Sequence, residues 1–121
     1  MKFLLNNAKK FLKKAKESYE KGEYNFTMFF LEQFFQLTLK YLLYKRYGEF
    51  PKTHSLKLLF EILKEEKLLE FYTKNADLFR EIELSYIAAR YFDVEYSENI
   101  GRKCLNLAES FLKLVKKNDL L

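Results

Sequence analysis

The chain has 121 residues, 49% hydrophobic and 32% charged, with 22 basic and 17 acidic side chains for a net charge of +5. That length suits one compact domain over residues 1–121, large enough to bury a core without covalent or metal staples. A single cysteine, a single histidine and three glycines exclude an internal disulfide, a Cys/His zinc site and a glycine-rich phosphate loop, and the apolar and aromatic content excludes an extended disordered chain.

Ten β-branched residues against abundant Leu, Lys and Glu leave little material for sheets, so the fold class is all-α. The first helix is expected from about Lys2 to Lys21. Leu4, Ala8, Phe11, Leu12, Ala15 and Tyr19 recur at spacings of three and four along one face. Lys9, Lys10, Lys13 and Lys16 fall mostly on the other face, and Gly22 offers a left-handed stop. The second helix, from about Tyr24 to Tyr47, is apolar almost all round, with Phe26, Phe29, Phe30, Phe34, Phe35 and Tyr41 among its residues. Such a helix is central in a fold or shared with a second subunit. The aromatic surplus predicts self-association through Phe30 and Phe34. One polar line interrupts it, formed by Glu32, Gln33, Gln36 and Lys40.

Gly48 ends that helix, and Glu49-Phe50-Pro51-Lys52 forms a turn. Thr53 or Ser55 caps a third helix that buries Leu56, Leu59, Phe60 and Leu63, and the Glu65-Glu66-Lys67 run is its solvated end. A fourth helix, with a break near Lys74-Asn75, turns Leu78, Phe79, Ile82, Tyr86 and Ala89 inward. Arg90 to Tyr96 lack a helical period and read as an irregular connection. Ser97 then caps a last helix that buries Ile100, Cys104, Leu107, Ala108, Phe111 and Val115. The expected architecture is an antiparallel up-and-down bundle of four to five helices. The opening Met1–Leu5 stretch is too short for a signal peptide, and no segment approaches the ~18 apolar residues of a membrane span. A cytoplasmic protein is expected. Acidic residues are interspersed among the lysines, as on solvated helices, and the positive balance also suits an anionic partner.

No nucleophile elbow accompanies His54, and one histidine cannot supply the paired Glu-x-x-His helices of a di-iron bundle. No cofactor or metal is expected. The order of short words is more informative: Tyr24-Asn25-Phe26, Phe30-Leu31-Glu32-Gln33 and Leu37-Thr38-Leu39-Lys40-Tyr41-Leu42-Leu43 in one helix. Gly48-x-x-Pro51-x-Thr53-His54-Ser55-Leu56 follows, then Ala88-Ala89-Arg90-Tyr91 and Ala108-Glu109. From about Ala8 to Val115 this resembles the HEPN domain family, particularly its small stand-alone archaeal and bacterial members. The resemblance implies a dimerising helical bundle, often paired with a separately encoded minimal nucleotidyltransferase and acting in toxin–antitoxin modules.

Many HEPN proteins are metal-independent ribonucleases with an Arg followed, after four to six residues, by a His; here Arg90 is followed at 95, 96 and 97 by Glu, Tyr and Ser. The only histidine, His54, lies 36 residues before Arg90 and reads as a structural turn contact. The leading expectation is therefore a non-catalytic homodimer that binds a minimal nucleotidyltransferase, a nucleotide or RNA. Its candidate binding residues are Glu32, Gln36, Lys40, Arg90, Tyr91 and Tyr96. These would meet where the connection approaches the polar line, giving cations for phosphate and rings for a base. The alternative is a ribonuclease with an atypical site of Arg90, Glu95 and Tyr96, and a third reading is a purely structural interaction protein.

Overall fold

Leu- and Lys-rich segments with few breakers fold as six helices in the computed structural model, which describes the backbone of residues 1–121 and every side chain except that of Ala89. They are α1 (Lys2–Glu20), α2 (Tyr24–Tyr47), α3 (Leu56–Leu63), α4 (Glu66–Lys74), α5 (Ala76–Tyr91) and α6 (Glu98–Lys117). The break expected near Lys74-Asn75 divides the fourth predicted helix into α4 and α5. The inward turn expected of Ala89 lies outside the described residues.

Local chemistry sets the ends. After α1, Gly22 takes φ +74°, its N–H bonding the Tyr19 carbonyl at 3.0 Å and that of Glu23 the Ser18 carbonyl at 2.9 Å. This paired closure satisfies two orphan carbonyls and turns the chain back into α2. Gly48 closes α2 at φ +78°. Ser55 and Ser97 cap α3 and α6, accepting the Leu58 and Ile100 N–H groups at 3.2 Å.

The central element is α2, covered by α1, α3, α5 and α6. Its Phe35 ring lies 4.9 Å from Phe79, 5.1 Å from Phe111 and 5.2 Å from Phe34, and all four rings are buried. This corrects the argument for an interface through Phe34. That side chain is 1% exposed and packs edge-on to Phe111 inside its own chain. The apolar circumference of α2 is covered within one chain because α1, α3, α5 and α6 pack on it from several directions. Phe30 is half-buried, among Phe11, Phe26 and Phe29.

The irregular connection is shorter than expected, because α5 continues through Arg90 and Tyr91. Asn25 at the start of α2 holds what remains. Its amide donates to the Val94 carbonyl at 2.7 Å, and its Oδ1 accepts the Tyr96 N–H at 2.8 Å. No helix is long and apolar enough to cross a membrane.

Candidate functional site

Two side chains from neighbouring helices pin the segment that leads into α3. From α2, the Gln36 amide donates to the His54 carbonyl at 2.6 Å. From α5, the Glu83 carboxylate accepts the Leu56 N–H at 2.7 Å, a negative charge placed at the start of α3 where the helix dipole favours it. His54 is thereby held against α5, its ring nearly parallel to that of Tyr86 at 17° with centroids 5.7 Å apart.

Tyr86 is the common member of this cluster. Phe29 of α2 stacks on it at 6.2 Å and 11°, and the Arg90 guanidinium, one turn further along α5, lies over the ring at 4.9 Å. A cation over an aromatic face is attracted to its negative centre. Glu83, Tyr86 and Arg90 share one face of α5 because they are spaced three and four apart. Next to this stack lies a cavity of about 230 Å³ lined by Glu32, His54, Ser55, Glu83, Tyr86 and Ile87.

Glu32 is 1% exposed and makes no ion pair among the described residues; its Oε1 accepts a bond from the Gln33 amide at 2.8 Å. Burial pushes its carboxyl up to about 7, and Glu83 adds to the effect while the Gln36 and Gln33 amides and Lys40 oppose it. One turn on, the buried Oε1 of Gln36 has no hydrogen-bond partner. The acid form of Glu32 carries the kind of O–H donor that this oxygen lacks. The arrangement offers a base-sized recess with a titrating acid inside, aromatic rings at its side and a guanidinium beyond them.

The other predicted residues lie elsewhere. Lys40 sits two turns along α2, roughly 12 Å from Glu32 by helical rise, with its ammonium over Phe50 at 5.8 Å. Burial lowers its pKa and Glu32 partly offsets this. Tyr91 is 73% exposed on the outer side of α5. Tyr96 is half-buried and, with Glu95, borders a separate groove that runs from Gly22 to Phe26 and does not include Arg90. So Glu32, Gln36 and Arg90 gather around the Tyr86 cluster, whereas Lys40, Tyr91, Glu95 and Tyr96 do not.

Sequence reasoning missed His54, Glu83 and Tyr86 as site members. The shared helical face of Glu83, Tyr86 and Arg90 was a readable signal; the approach of His54 was not. Among the described residues, no group of three His, Cys, Asp or Glu side chains is placed to hold a metal ion. A family model described as HEPN domain matches residues 1–118. Comparison with curated proteins and with solved structures yields no match.

Proposed function

This chain belongs to the HEPN domain family, and we propose that it is a non-catalytic, dimeric binding protein for a nucleotide-like anion. The observation that carries this reading is the Tyr86 cluster, which joins the Arg90 guanidinium and the His54 ring beside the recess of Glu32. A guanidinium grips phosphate through paired charge-assisted bonds. Aromatic faces stack a base, and carboxyl groups accept from its exocyclic amines. Dimerisation uses the outer side of α5 and the connection after it, where Leu84, Ile87, Tyr91, Phe92 and Val94 are exposed. A minimal nucleotidyltransferase, the partner that the family resemblance implies, would present such an anion to this site.

Amide NMR during titration with ATP tests the reading. Resonances of the His54–Leu56 segment and of Glu83–Arg90 should shift in the native chain and stay still in Arg90→Ala. A native spectrum that does not move at saturating ATP overturns it.

One observation favours a second reading. His54 and Arg90, far apart in sequence, contact the same ring, which supplies a proton acceptor and a cation to one locality. Metal-independent RNA cleavage needs both, one for the 2′-hydroxyl proton and one for the charge on the phosphate. Under the leading reading, RNA incubated with the protein stays intact. Cleavage that survives chelators and vanishes in both His54→Ala and Arg90→Ala would replace binding by catalysis.

A further inference from the structure

The positive charge of the molecule is not spread evenly. Helices α1 and α6 together hold 11 basic and 4 acidic side chains, whereas the remaining 82 residues hold 11 and 13. The two helices lie side by side and antiparallel, since Tyr19 near the end of α1 bonds Glu98 at the start of α6. Lys9, Lys13 and Lys16 form a row on α1 at spacings of four and three. Glu109, Lys113 and Lys116 form a row of the same spacing on α6. An ion pair between Lys16 and Glu109 shows that the rows face each other across the seam. All five lysines are exposed.

Stability accounts for Lys116 at the end of α6, where the helix dipole favours a cation, but not for the pattern along α1. Lysines four apart on one helix, such as Lys9 and Lys13, repel. The distribution along α1 also opposes the helix dipole: its first turn holds Lys2 and no acid, and its last turn holds Glu17 and Glu20 and no base. Nine of the 11 cations on the two helices make no ion pair among the described residues. Charge kept along α1 at a cost to folding, and left mostly unneutralised on two facing rows, is the footprint of a polyanion.

We infer that the α1–α6 seam binds the phosphate backbone of nucleic acid, with the facing lysine rows holding successive phosphates. Recognition of this kind is independent of base sequence, because an ammonium on a flexible stem reads charge and not base edges. An anionic membrane is the weaker fit. Lipid insertion needs an apolar helix face turned outward, and the apolar face of α1 (Leu4, Ala8, Leu12 and Ala15) is buried in the bundle. This surface is separate from the Tyr86 cluster and does not depend on it.

Fluorescence anisotropy with labelled single-stranded and duplex RNA, titrated at several salt concentrations, tests the inference. The native protein should bind at low salt, and log K should fall linearly with log salt. The triple variant Lys9→Gln/Lys13→Gln/Lys113→Gln should bind about ten-fold or more weakly, with the slope reduced by about one per lysine removed. Its melting temperature should stay the same or rise, because like-charge repulsion is relieved. Arg90→Ala should bind RNA as the native chain does, which separates this surface from the nucleotide site. An unchanged affinity and slope in the triple variant overturns the inference. So does a native protein that ignores RNA at low salt, or one that binds phosphatidylserine vesicles and not RNA.

Discussion

Glu32 shows how one residue can couple the site to pH. An unfolded glutamate loses its proton near pH 4.5, whereas the folded Glu32 holds it to about pH 7. Between those values the native state binds a proton that the unfolded state has released. Stability attributable to this group is therefore full below about pH 4.5 and declines as the pH rises through 7. In Glu32→Gln the group no longer titrates, and the amide keeps a donor for the orphaned Gln36 oxygen. Relative to the native chain, the variant should gain on the order of 2 kcal/mol in unfolding free energy between pH 5 and pH 8. Urea unfolding at the two pH values measures this directly. Parallel pH profiles for the two proteins would show that burial does not hold the proton on Glu32.

At the scale of elements, α2 organises the molecule and α5 divides its labour. Phe35 of α2 meets Phe79 of α5 and Phe111 of α6, so one ring couples three helices. Phe35→Ala should lower the unfolding free energy by about 3–5 kcal/mol, through lost burial and the cavity left behind. Thermal and denaturant melts would register it, and a loss below about 1 kcal/mol would mean that the rings repack freely. Helix α5 is weakly amphipathic because it uses two sides. Glu83, Tyr86 and Arg90 serve the cluster, while Leu84, Ile87 and Tyr91 form an exposed strip at spacings of three and four. Tyr91, expected to recognise a ligand, stands on that strip.

For the whole molecule, the strip on α5 concentrates what the surface leaves uncovered. Five of the ten large hydrophobic side chains that remain exposed lie between residues 84 and 94. Ile87 belongs both to this strip and to the rim of the recess, so a second copy docked there would sit beside the site. Light scattering at micromolar concentration should return twice the chain mass of 14.7 kDa. Leu84→Glu/Ile87→Glu should return a single chain mass with native helicity, because both side chains are about half exposed and charge there is tolerated. A native protein that scatters as one chain would remove self-association from the proposal.

The sequence carries the helices and most of their ends. Leu and Lys propensity, the spacing of apolar residues, Gly22, Gly48, Ser55 and Ser97 are local features, and local physics acts on them wherever the helices come to lie. It also determined the family, through the order of short words along nearly the whole chain. Tertiary structure decided which apolar face is covered by the chain itself and which is left bare. Periodicity marks a face as apolar but does not name its neighbour: α2 read as surplus yet is covered by its own chain, and α5 buries Phe79 and Ile82 as expected but also leaves Leu84, Ile87 and Tyr91 bare. Tertiary structure alone also decided that His54 meets Arg90 across one tyrosine ring. The 35 residues between them fold back through α3 and α4, and a contact that long-range depends on how whole helices cross, which no local pattern encodes.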